Sequence, residues 1–331
     1  MKQLMMILMC ALCVLSCRRV PLYDAESGVY LKLNIHIHAD IDLPEDIASR
    51  GLPQSLMAKF SGRMPERMQV NFYDVETHSL LTTAFVPAEG GYIDVAPGVY
   101  DVVVYNIDTD YTRIERVNSR GSIYAFTDQT GSRFVPQSKA DGKDLPMAEA
   151  PVIREPDHLY VARRDALVIP EHSVVDETIE VYAEASTLLE TYIFRATKIL
   201  NIGDVVSAKA YITGQARAKC LWDSRYIMDE AVLGIDCYPD RAAGEIVAVF
   251  NTFGKFPNAT NNVFLTIVVS NSSGDEREYV FDVTDQFDNP DNTGHEIIVS
   301  DEIDVPEPGS GQGGFDPDIS DWDEEHKNVD I

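Results

Sequence analysis

From residue 29 onward the chain alternates apolar and polar positions in one short segment after another. Val29-Tyr30-Leu31-Lys32-Leu33-Asn34-Ile35-His36-Ile37-His38 is the first run, and its period of two is that of a half-buried strand. Strands are predicted next at Glu66–Asp74, Leu80–Val86, Tyr92–Val95 and Val99–Asn106. The turn texts Pro87-Ala88-Glu89-Gly90-Gly91 and Ala96-Pro97-Gly98 separate the last three. One further strand is expected within Arg113–Phe126, a loop over Pro136–Pro151, and a strand over His158–Ile169. A second series follows at Glu177–Ala185, Leu189–Ile202, Ser207–Leu221, Val232–Tyr238 and Glu245–Asn251. Leu189–Ile202 is ambiguous in period, and its β-branched and aromatic residues favour a strand. Val263–Ser270 and Glu278–Val283 flank Asn271-Ser272-Ser273-Gly274 as a hairpin, and Glu296–Val305 supplies a last strand. The stretch 40–65 is punctuated by Pro44, Gly51, Pro53 and Pro65, with room for a short helix near Gln54–Phe60. Many short strands joined by turns predict an all-β chain of two tandem β-sandwiches, over 29–170 and 171–305.

The start of the chain has a different pattern. Lys2 precedes an apolar run from Leu4 to Leu15. That is shorter than the roughly 20 residues a transmembrane helix needs and matches the apolar region of a signal peptide. It ends in Val14-Leu15-Ser16-Cys17, the layout of a bacterial lipobox. Cys10 and Cys13 follow the bulky Met9 and Leu12, whereas Cys17 follows the small Ser16. Residues 1–16 therefore read as a lipoprotein signal peptide, Cys17 as the lipidated first mature residue, and 17–28 as a tether. An ordinary secretory signal or an uncleaved anchor helix is the plainer alternative. Several acyl chains on Cys17 would hold the protein stably at a membrane.

Charge narrows the function. The formal net charge is −27, which disfavours nucleic acid, whose phosphates demand Lys and Arg. Residues 301–331 hold eleven acids and one lysine, a net of −10. Most of that excess, eight acids and the lysine, lies in the segment 306–331, which opens on the glycine-rich Glu307–Gly314 and continues through Trp322 to Ile331. It reads as a flexible acidic tail that is either disordered or docked by its aromatics. Asp316–Glu325 resembles a calcium loop by charge, but it lacks the central Gly and terminal Glu spacing of an EF-hand.

No catalytic set emerges. The seven histidines are scattered, and there is no HExxH, GxSxG or phosphate-loop text. No catalytic residue, cofactor-binding residue or metal ligand is assigned, and no enzyme is expected. His36 and His38 share one strand face and could hold a metal, though two solvated side chains on an outer sheet face are the plainer reading. Beyond Cys17 the mature chain has Cys220 and Cys237, with sixteen residues between them around a turn. In an oxidising compartment they are either a disulfide or two buried thiols. The fifteen tyrosines mostly alternate into strands and read as packing, with glycan binding by exposed ones as an alternative.

Several texts together resemble a known group. They are Leu22-Tyr23-Asp24 shortly after Cys17, Met68-Gln69-Val70-Asn71-Phe72-Tyr73, Gly90-Gly91-Tyr92-Ile93-Asp94-Val95-Ala96-Pro97-Gly98-Val99-Tyr100-Asp101, Tyr105-Asn106-Ile107-Asp108-Thr109-Asp110, and Gly313-Gly314-Phe315-Asp316 onward. This looks like the Bacteroidales lipoproteins similar to FimB-type fimbrial anchor proteins, across nearly the whole chain. The resemblance implies two transthyretin-like, Greek-key β-sandwich domains and an outer-membrane lipid anchor. It also implies a fimbrial shaft or other envelope protein as partner, with a partner strand accepted into a sandwich. Cell-surface exposure is expected. Arg18 and Arg19 stand where export acids are usual in this phylum, which leaves the periplasmic face open.

Overall fold

The computed structural model describes residues 29–38, 52–61, 64–134, 150–171, 178–257, 262–292 and 295–308. Cys17, the tether and the tail beyond 308 lie outside the described residues.

The first sheet has seven strands in the order β3-β2-β5-β10-β11-β1-β4. They are β1 (Val29–His38), β2 (Arg67–Asp74), β3 (Leu80–Pro87), β4 (Gly90–Val95), β5 (Gly98–Asn106), β10 (Tyr160–Ile169) and β11 (Ile179–Thr187). Leu31, Leu33, Val70, Phe72, Val102 and Val104 alternate onto one face and make its core. Gly90 opens β4 at φ +102°, where a Cβ would stand 2.0 Å from the Leu33 carbonyl oxygen. Only glycine permits so close an approach to β1.

The second assembly is built on β12 (Glu190–Leu200), β13 (Ser207–Cys220), β14 (Tyr226–Asp240), β15 (Glu245–Thr252), β16 (Phe264–Ser270), β17 (Glu276–Asp282) and β18 (Glu296–Asp304). Along Ala208–Lys219, β14 pairs with β13, and then at Tyr238–Asp240 it pairs with β15. It thereby joins the layer β17-β16-β13-β14 to the layer β15-β12-β18. Phe194, Ile212, Leu233, Phe250, Leu265 and Ile297 from both layers share one core, which is the arrangement of a sandwich. The outer face of β15 is covered by the helix α1 (Gln54–Ser61) and its entry, through Leu52 and Leu56 on Val247 and Val249.

All-β architecture in two sandwich-like units thus matches the expectation, but the strands do not sort by the halves 29–170 and 171–305. β11, from the second half, pairs in parallel with β1 over eight residues. The segment Arg113–Phe126 folds as a hairpin of β6 (Thr112–Glu115) and β7 (Tyr124–Thr127), and β7 pairs with β13. The expected loop 136–151 runs into β9 (Ala150–Ile153), which pairs with β8 (Gln129–Phe134) and β14. The reason is burial. Val103, Tyr105 and Val161 on the outer face of the first sheet pack with Ile123, Ala125, Leu188, Leu221 and Phe253 in a third core between the units. Strand β5 is therefore buried on both faces, and neither unit completes its packing without chain from the other half.

A cleft between two free strand edges

Strands β10 and β11 pair only at Tyr160↔Thr187 and Val161↔Ser186. Beyond that point they diverge. Ala162–Ile169 keeps β5 on one side, and Ile179–Ala185 keeps β1 on the other. Among the described strands nothing pairs with the edges that face each other across the gap.

The gap opens onto a cavity of about 180 Å³ lined by Leu31, Leu33, Val70, Phe72, Val102, Val104, Ala162, Leu167, Val181 and Ala183. The apolar core of the first sheet is its floor. Arg164, Tyr182 and Glu184 stand at its rim. Arg164 lies two residues from the buried Ala162, so the pleat puts both on one face. It is nevertheless exposed, because β11 has moved off it. A charge on the inward face of a strand edge is a device that natural sheets use against indiscriminate edge pairing.

A bulge shapes the cleft. The pairing of β10 with β5 slips between Arg164 and Leu167, and Ala166 takes φ +46°. A bulge bends its strand. Asp101 on β5 holds this one in place: its Oδ1 accepts the Ala166 N–H at 3.0 Å. Its Oδ2 pairs with Arg120, whose guanidinium lies 4.2 Å from the Trp222 ring centroid. Asp101 is only 3% exposed, so its charge depends on that partner. Lower down, the Asn106 side chain donates to the His158 carbonyl at 3.1 Å and accepts the Tyr160 N–H at 2.8 Å. Asp101 and Asn106 are the polar residues of the Pro-Gly-x-Tyr-Asp and Tyr-Asn texts, and their work is to seat β10.

Of the expected site residues, Cys17 falls outside the described residues. Cys220 and Cys237 are free thiols, and the disulfide alternative is corrected. Cys237 pairs with Ala208, at the opposite end of β13 from Cys220. Twelve strand residues span about 40 Å, far beyond the reach of a disulfide. Burial raises both thiols above the usual cysteine range. The described histidines stay apart from one another except for His36 and His38. His78 lies 4.0 Å from Asp101, His158 is stacked on Tyr160, and His295 is stacked on Tyr192. A second, more open depression holds Glu190, Tyr192, Tyr226, Lys255, Phe256 and Phe287. The sequence pattern does not mark most of the cleft residues. The one local signal is Arg163-Arg164-Asp165, which interrupts the apolar alternation of β10.

Known proteins resemble this chain. A crystal structure described as "a putative adhesin from Bacteroides ovatus" aligns with TM-score 0.54 and 20% identity, covering 85% of this chain and 94% of that one. "The fimbrial anchor protein Mfa2 from Porphyromonas gingivalis" aligns with TM-score 0.48 and 12% identity, over 82% of this chain and 90% of that one. In sequence, the "Putative fimbrium anchoring subunit Fim4B" of Bacteroides ovatus is 23% identical over 198 residues, 60% of this chain. The match spans only 54% of that relative's length. The family described as "Domain of unknown function (DUF5119)" matches residues 58–236, which run through both units and include both edges of the cleft, and the chain belongs to that family.

Proposed function

We propose that this protein is a non-enzymatic, lipid-anchored component of the cell envelope that holds a fimbrial partner by accepting an extended segment of it in the β10–β11 cleft. The cleft carries the reading. Two facing edges offer backbone donors and acceptors, and the apolar floor offers a pocket for a side chain. Those are the two requirements of strand addition. The relative named as a fimbrium anchoring subunit supports the same role, and the lipobox at Cys17 supports attachment to the outer membrane. The tether from Cys17 leads into β1, an inner strand paired to β11 on one side and β4 on the other. A pull on the anchor would load these ladders in shear, spreading force over many hydrogen bonds at once.

The test is made in the cells that carry the protein. Deleting the gene, or substituting Cys17→Ala, should release fimbriae into the medium or alter their length. Fimbriae unchanged in number, length and attachment would overturn the proposal.

A second reading rests on the adjoining outer face, which shares Tyr182 with the rim of the cleft. Tyr30, Tyr92 and Tyr182 are 62%, 68% and 66% exposed on neighbouring strands β1, β4 and β11. Exposed aromatic rings arrayed on one sheet face suit stacking against sugar rings. In that case the Tyr30→Ala and Tyr92→Ala variants should lose signal on a glycan array while fimbriae stay attached.

A further inference from the structure

The outer face of β1 and β11 carries a cluster that adjoins the cleft: Glu184 stands at its rim, while His36 and His38 lie outside its lining. His36 and His38 are two residues apart on β1 and so project from the same face. Parallel pairing sets Glu184 of β11 directly opposite His36. One ligand atom from each of the three lies within 4.8 Å of those of the others. His38 Nε2 stands 2.7 Å from Glu184 Oε2, and the two imidazole centroids are 4.7 Å apart, edge to face.

We propose that His36, His38 and Glu184 form a binding site for a divalent late transition-metal ion, with zinc the ion that fits best. Two imidazoles and one carboxylate are a complete three-ligand zinc set that leaves the fourth tetrahedral position open. Bonds of about 2.0–2.1 Å place tetrahedral zinc ligands about 3.3 Å from one another. The donors need move only about 1–1.5 Å to reach that spacing, and all three side chains are exposed and free to adjust. The set is wrong for calcium, which takes six to eight oxygen ligands, and for magnesium, which prefers oxygen. The fourth position faces solvent, open to water or to a side chain of another molecule. Ligation would tie β1 to β11, the strand that bounds one side of the cleft. The inference does not depend on the fimbrial reading, because its test needs only the purified chain.

The experiment titrates zinc chloride into the full-length chain in detergent by calorimetry. In parallel, Co(II) is used as a visible probe of tetrahedral coordination. The variants are His36→Ala, His38→Ala and Glu184→Gln, with His78→Ala as control. His38 and Glu184 side chains are 54% and 64% exposed, so these substitutions leave the fold intact, and circular dichroism checks that they do. The expected result is one zinc per chain and a Co(II) absorption band. Each cluster variant should weaken binding by at least about tenfold, as lost metal-site interactions do, and His78→Ala should not. Absence of saturable binding would overturn the site. So would binding that survives all three cluster substitutions, which would place the metal elsewhere on this acidic chain.

Discussion

Ala183 lies on the wall of the β10–β11 cavity and packs against the core of the first sheet. The substitution Ala183→Leu adds three carbon atoms to a space of about 180 Å³. A cavity of about 150 Å³ already admits a benzene molecule, so the isobutyl group has room. At about 0.8 kcal/mol per buried CH₂ the gain is at most about 2.4 kcal/mol. Imperfect fit in a packed core subtracts from this, and about 1–2 kcal/mol of added stability is expected. In urea, with an unfolding slope of about 3 kcal/mol per molar, that gain moves the midpoint up by about 0.5 M. The same side chain occupies the place a partner's residue would take. Recovery of fimbrial subunits with the membrane-bound protein should therefore fall at least about tenfold, an effect of about 1.4 kcal/mol or more. Stability and capture move in opposite directions, which a generally damaging mutation cannot do. A lowered urea midpoint would refute the cavity argument. A raised midpoint with undiminished capture would refute the cleft as the binding site.

Three further outcomes are expected. Arg120→Ala strands the Asp101 carboxylate in a buried place and should cost about 3–5 kcal/mol. Adding Asp101→Asn should restore more than half, since an amide oxygen can still accept the Ala166 N–H; a urea double-mutant cycle measures both. Burial holds the His158 imidazole below its usual range, so the fold favours its neutral form. As pH falls through about 6.5 the unfolded chain takes up this proton first, and stability falls. His158→Gln should flatten that part of the decline between about pH 7.5 and 5.5, and a decline as steep as in the unsubstituted chain would refute the assignment. Cys220 and Cys237, with thiols raised by burial, should resist a thiol-specific reagent in the native state and both react in denaturant. A reductant-dependent band shift on a gel would instead reveal the disulfide.

Much of this was legible along the chain, and for local reasons. Val29–His38 reads as a strand because its alternation needs no knowledge of neighbours, and the strand bounds there coincide with the structure. The hairpin of β16 and β17 was legible because its turn residues force the reversal. Within Arg113–Phe126 the sequence pattern supports one strand, and the polar stretch Asn118–Ser122 does not by itself announce a hairpin. The break at Arg116, which takes φ +53°, follows from packing against the second unit. The strand β8 lacks clear alternation, and its pairing with β9 lends it order.

The site divides the same way. His36 and His38 were visible as a pair because two residues in a strand share a face. Glu184 was not, because it is brought beside them by parallel pairing across 146 residues. The halves of the cleft are separated by a stretch that includes residues 170–178, and its width depends on a bulge pinned by Asp101 and Arg120. Side-chain period, turn chemistry and charge act over a few residues, so the sequence alone determined most of the strands and the all-β class, and it carries the lipobox text and the acidic C-terminal segment. Which strands pair, where two of them part, and which side chains converge depend on burying both faces of strands such as β5. That is a property of the whole chain, and only the tertiary structure decided it.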